Sequence, residues 1–301
     1  MHFAPGDLQS TMANLGSKLV NAIKDKGKNI ESEMSFFEHI EALRWHLIRA
    51  CLAIVVFTGV AFYFYDIIWN DIIMGPMNVN FWTYRQMCHL GAALHMDGFC
   101  ITKIPGKLIN TEMAGQFTLQ INSSIIIGIM LGFPYLLWEL WRFIKPALHE
   151  KERKAASGFV VYATFLFIVG VMFGYYVIAP ESIAFLANYQ VSASIENLFS
   201  IDSYLSSVST LTLATGVVFE LPILVFILSS LGILTPKFMR STRRYAIVVI
   251  LIVAAVITPT PDMLTMTIVS IPLLILYEVG ILVSAVVERR KIKRNKDLME
   301  S

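Results

Sequence analysis

Long apolar runs nearly free of charge decide what this chain can be. A hydrocarbon core of roughly 30 Å takes about 20 helical residues, and runs of that length recur from Leu47 towards the C-terminal tail. Soluble helices would carry a polar stripe that these runs lack, and a closed barrel would need short alternating strands. Only 15% of the residues are charged while 56% are hydrophobic, which fits no ordinary soluble chain. The expected fold is an all-α polytopic membrane protein.

Six transmembrane helices are expected, at about 47–69, 121–141, 158–178, 205–233, 245–258 and 263–287. Tyr63, Tyr65 and Trp69 end the first as interface aromatics, and WELWRF marks the end of the second. Around these spans lie a polar tail at 1–33, a membrane domain at 34–290, a long loop at 70–115 and a basic tail at 291–301. In the N-terminal tail Leu8, Met12, Leu15, Leu19 and Ile23 repeat at helical spacing, which suits a helix on the membrane surface as well as a solvated segment. The opening residues MHFAPGDLQSTMANLG have no apolar core for a cleavable signal, so the first span is expected to direct insertion.

Lysine and arginine orient the spans. The N-terminal segment, the loop 142–154, the loop 235–244 and the tail are basic, whereas 179–204 and 259–262 contain neither residue. The 70–115 loop holds only Arg85, Lys103 and Lys107. Both termini are therefore expected in the cytoplasm, with 70–115 in the periplasm. Between Arg244 and Pro259 lie 14 residues, roughly 21 Å of helix, and Glu278 interrupts the uncharged part of the last span. Both C-terminal spans are expected to be short, requiring a thinned bilayer unless the arginines of RSTRRY snorkel from an earlier start. No internal repeat of the kind that builds inverted-repeat transporters is evident.

Glu220 is the most informative side chain. It sits deep in the fourth span within ATGVVFELPILVF, where an acid of this kind costs about 2.5–3.5 kcal/mol to insert and should face protein or water. Pro222 beside it frees a backbone acceptor one turn earlier and can kink the helix. The bland alternative is a protonated acid bonded to a neighbouring helix. Gly128-Ile-Met-Leu-Gly132 and Gly170-Val-Met-Phe-Gly174 are small-residue patterns expected to let helices approach within one molecule. Cys88 and Cys100 in the outer loop suit a disulfide if that side is oxidising, or two free thiols otherwise, and Cys51 lies in the first span. Asp262 after Pro261 has the position of a helix N-cap.

A second group lies in the basic loops: Phe143, Pro146, Glu150 and Glu152 in RFIKPALHEKERK, with His39, Glu41 and Arg44 in FFEHIEALRWH. Carboxylates beside an aromatic ring are the chemistry for holding guanidinium groups, although such acids more often pair with adjacent lysines and arginines. No HExxH, GxSxG, Ser/His or paired intramembrane aspartates support catalysis, so no enzyme, metal or cofactor is expected, and nothing points to nucleic acid. A proton- or ion-coupled secondary transporter using Glu220 is the alternative class, weakened by the missing repeat and the acidic loop.

Six segments in order resemble the TatC family, the polytopic core of the twin-arginine protein translocase: HIEALRWHL at 39–47, FPYLLWELWRFIKPALHEKERK at 133–154, IDSYLS at 201–206, GVVFELP at 216–222, TPTPD at 258–262 and IPLLILYEVG at 271–280. The resemblance covers about 35–290. It implies a receptor for signal peptides with two consecutive arginines, in the cytoplasmic inner membrane. Glu152 matches the family's loop glutamate, with Phe143 near it, and Lys154 stands where arginine is frequent. In the first segment, with His39 and Arg44, Ala42 occupies the usual glutamate position and Glu41 precedes it, a rotation of about 100° around a helix. Glu220 matches the intramembrane glutamate, and Pro134, Pro76, Asp202 and Asp262 match other recurrent positions. Met266 stands where a glutamine is common, so a contact to a partner helix there would be made differently. The implied partners are single-span TatA and TatB-type subunits, signal peptides of folded cargo, the lipid bilayer and further copies of the chain in a larger complex, with the proton-motive force as energy source.

Overall fold

The computed structural model describes residues 36–94, 100–101, 104–105, 107–145, 158–192, 197–258 and 263–299. Residue contacts divide the chain into two units, Met1–Arg49 and Ala50–Ser301. The helix α1 (Phe36–Tyr63) begins in the first unit and continues into the second. After it come a π turn at Ile68–Ile73, α2 (Trp82–Leu94), β1 (Lys107–Ile109) and α3 (Gly115–Ile144). The chain then forms α4 (Phe159–Phe173), a π turn at Gly174–Ile178 and α5 (Ala179–Asn188). It ends with β2 (Leu198–Ser200), α6 (Ile201–Val218), α7 (Leu221–Ser230), α8 (Pro236–Ser241), α9 (Arg243–Ile257) and α10 (Met263–Met299).

Among the described residues, five helical stretches are long and apolar enough to cross a membrane: Glu41–Tyr63, Gly115–Ile144, Phe159–Asn188, Ile201–Ser230 and Thr265–Lys293. The fourth is the central one, with 44% of its most apolar window buried inside the protein against 11% for the first. The fifteen residues of α9 make about 22 Å of helix, too short to count by the same measure.

Glycines set how closely the helices pack. A Cβ on Gly128 would lie 2.7 Å from the backbone nitrogen of Thr58, and one on Gly132 would lie 2.9 Å from Ile54, so α3 meets α1 along this face. A Cβ on Gly170 would meet the Cα of Gly216 at 2.9 Å, and one on Gly174 the Cα of Thr212 at 2.9 Å. Lipid tails are as apolar as leucine, so close van der Waals approach, rather than exclusion of water, holds such helices together. Both small-residue patterns thus serve packing within one chain.

Three tyrosines hold the segment after α1 against the bundle. Tyr175, Tyr204 and Tyr84 donate to the carbonyls of Ile72 (2.6 Å), Ile73 (2.6 Å) and Pro76 (2.8 Å), and the Tyr84 hydroxyl also reaches Pro180 O (3.0 Å). Burial, and to a lesser degree the charge of Glu181, raise the Tyr84 phenol above its ordinary value, keeping it a neutral donor. Pro180 cannot donate to the carbonyl one turn earlier, and that acceptor, Tyr176 O, takes the Thr83 hydroxyl instead. Beyond this, β1 and β2 pair in parallel from Lys107–Leu198 to Ile109–Ser200, and Cys88 and Cys100 are joined by a disulfide. Cys51 is free and exposed.

The helical stretch that carries the expected third span runs on to Asn188, and its last part, Ala179–Asn188, buries Ala179, Ile183, Ala184 and Ala187 in the bundle. Glu278, which interrupts the uncharged run of the last span, lies within the continuous α10, and its carboxylate accepts a 2.6 Å charged hydrogen bond from Arg243 at the start of α9. The paired charge meets its solvation need without breaking the helix.

Candidate functional site

Glu220 sits at a break. Pro222 at the second position of α7 lacks an amide hydrogen, and the helix breaks between α6 and α7 just before it. Phe219 N–H bonds Thr215 O at 3.0 Å, and Glu220 N–H makes the tighter bond to Val217 O at 3.1 Å. The helix resumes with Ile223 and Leu224 N–H both donating to Glu220 O at 3.0 Å. Gly216, one turn earlier, sits where a Cβ would come within 2.8 Å of Phe167 and Val171, which brings α4 hard against this break. Both carboxylate oxygens of Glu220 are buried, and neither has a hydrogen-bond partner among the described residues. Such an acid gains nothing from its surroundings to offset the cost of leaving water.

At the loop end of α3, Trp141 stacks on Phe159 with ring centroids 4.3 Å apart. Glu139 beside it is 1% exposed, accepts from Tyr135 O–H at 3.0 Å and pairs with Arg142 at 3.5 Å. Arg142 also lies 4.9 Å from the centre of the Trp138 ring. From sequence WELWRF reads as interface aromatics, and the acid within it is buried. Its signal was the spacing: Tyr135, Glu139 and Arg142 fall on one helical face.

The expected site residues fall in three groups. Phe143 is half-buried near the end of α3, while Pro146, Glu150, Glu152 and Lys154 lie outside the described residues. In the first unit, Glu41 and Arg44 are exposed on α1 with Ala42 half-buried, and the His39 side chain lies outside the described residues. In the bundle, Pro134 is half-buried within α3, Pro222 is buried, and Met266 is half-buried against the core that contains Val269 and Leu273. Asp262 and its expected cap lie outside the described residues. The structure therefore gathers Glu220, Pro222, Gly216 and the face of α4 in one place.

A family model for the Sec-independent protein translocase protein TatC matches residues 38–272. The chain belongs to the TatC family. Over 266 residues it is 36% identical to the Sec-independent protein translocase protein TatC of Blattabacterium (strain BPLAN), covering 88% of this chain and all of that one. TatCy of Bacillus subtilis is 32% identical, over 87% of this chain and 93% of its own. Two crystal structures of the twin arginine translocase receptor TatC align with TM-scores of 0.63 and 0.59 at 29% and 28% identity. They cover 82% and 83% of this chain and nearly all of their own. The TatC family is a family of multi-pass protein translocase components, not of catalytic enzymes. The match takes in the segments around Glu152 and Glu220.

Proposed function

We propose that this chain is the receptor and core subunit of a twin-arginine translocase, passing folded proteins across a cytoplasmic inner membrane. The observation that carries it is the TatC-family match over 38–272, which includes the acidic-aromatic loop and the glutamate at the break between α6 and α7. In this reading Glu152, with Phe143 near it and Lys154 two residues on, receives the two arginines of a signal peptide through bidentate hydrogen bonds and stacking. His39, Glu41 and Arg44 of α1 act on the same ligand class as a separate determinant. Glu220 lines the intramembrane hollow in which a signal peptide or partner helix settles, and the break at Pro222 opens that concave face. Asp262 and Met266 are the contact points for TatA- and TatB-type subunits, several copies of the chain share the complex, and the proton-motive force drives transport. The lysine and arginine placement supports six spans with α9 as the fifth, both termini in the cytoplasm and 70–115 in the periplasm.

A fluorescent signal peptide tests the receptor role in its Arg-Arg and Lys-Lys versions. The full chain in detergent should bind the first more tightly by about tenfold, since a bidentate charged pair is worth about 1.5–3 kcal/mol. Glu152→Ala should lose most of that difference. Equal affinity for the two peptides, or no change on Glu152→Ala, overturns the receptor role.

A further inference from the structure

Between α4, α7 and α10 runs a groove of about 440 Å³, lined by apolar side chains except at one end. Tyr162 and Leu166 of α4, Phe226 of α7 and Val279 and Val283 of α10 form its walls, and Arg290 stands at its mouth. Arg290 is exposed and makes no ion pair among the described residues, whereas Arg142 and Arg243 are each committed to a carboxylate. Lys291, one residue on, is used internally: it donates to the carbonyls of Ser229 (3.0 Å) and Ser230 (2.8 Å) at the end of α7. Arg289 and Lys293 are exposed at the same helix end, with Glu288 as the exposed acid among them. The groove thus pairs an apolar slot with an uncommitted cation where a span leaves the membrane, and basic pockets between spans on the cytoplasmic side bind anionic headgroups.

Charge separates the occupants. A signal peptide with two arginines would bring positive charge to a cationic mouth. An anionic phospholipid brings a phosphate to that cation and an acyl chain to the apolar walls. We infer that this groove binds one acyl chain of an anionic phospholipid whose phosphate pairs with Arg290. Only the cytoplasmic placement of that mouth rests on the topology proposed above.

Two measurements on the full chain test the inference. A photo-crosslinking residue at Leu282, 63% exposed on the groove rim, is activated in native membranes. The expected product is a phospholipid adduct, and a protein adduct as the main product overturns the inference. Separately, the chain purified in neutral detergent is offered phosphatidylglycerol or phosphatidylcholine, and the lipid retained is weighed by mass spectrometry. The cation lining the groove predicts a preference of roughly fivefold for phosphatidylglycerol, which Arg290→Gln should reduce. Val283→Phe, which narrows the slot with the cation kept, should lower phosphatidylglycerol retention; if it does not fold, Leu282→Trp at the rim replaces it. Equal retention of the two lipids, an unchanged preference in Arg290→Gln, or full retention in the narrowed groove overturns the inference. The lipid-retention measurement contains no signal peptide, so failure of the receptor role leaves its outcome intact.

Discussion

Glu139, Glu220 and Glu278 are carboxylates carried on the spans, and each meets different surroundings. Glu139 is enclosed, accepts from Tyr135 and pairs with Arg142, so removing it forfeits both contacts. Glu278 is half-exposed and held by Arg243. Glu220 has buried oxygens and no partner among the described residues. Replacing it forfeits no hydrogen bond and removes a costly group, so Glu220→Ala should insert normally and keep or raise the melting temperature in detergent. Export of a twin-arginine reporter should nevertheless fall. Thermal unfolding and an export assay on the same variant check both parts. Normal export would reduce Glu220 to a packing residue, and a stability loss above about 2 kcal/mol would point to an essential bond. The depth of Glu220 could be read from the sequence, because an acid in an apolar run needs no fold to stand out. Its lack of a partner could not, since partners come from other helices.

The helices owe their breaks and contacts to single residues. Pro222 and Pro180 withdraw donors, and the chain answers with a tight turn in one case and a π turn joined to a side-chain donor in the other. Gly232 ends α7 with φ of +82°, and Ile233 N–H reaches back to Leu228 O at 2.9 Å, a helix end that a residue with a side chain would strain. Among the packing glycines, Gly170 is tightly confined, because a side chain there meets the backbone of Gly216, one turn from Glu220. Gly170→Leu should destabilise the bundle by about 1–3 kcal/mol and lower its melting temperature. Gly59, also within a helix, has nothing within 4 Å of a new Cβ, so Gly59→Ala should be neutral or stabilising by up to about 1 kcal/mol. Equal melting shifts in the two variants would separate glycine packing from stability. The small-residue patterns were visible in the sequence, but which helix each one meets was not.

For the whole molecule, α9 is the element that departs from membrane dimensions. Its fifteen residues reach about 22 Å, against a hydrocarbon thickness of about 30 Å, and its outward face carries exposed Val248, Val249, Ile252 and Val256. If α9 crosses the bilayer as proposed, lipid must thin around it at a cost of fractions of a kcal/mol per Å. Spin labels at Tyr245 and Val256 in the reconstituted chain should both report shallow depth, with no more than about 20 Å between the two polar boundaries. Depths matching an ordinary bilayer would remove local thinning as part of the transport mechanism.

Apolar run length, the distribution of lysine and arginine, and six ordered motifs determined by themselves the helical polytopic class and the TatC family, because each is a property of residues along one chain. Glu152 and Glu220 stood out for the same reason, as charges out of keeping with their local surroundings. Only the tertiary structure decided that Glu220 finds no partner among the described residues, that Arg243 holds Glu278 within an unbroken helix, and that Glu139 is enclosed. It also decided that three tyrosines hold the segment after α1 and that Arg290 lines an apolar groove with no ion pair among the described residues. Each depends on which faces of distant helices meet, and that is set by packing among residues far apart in sequence.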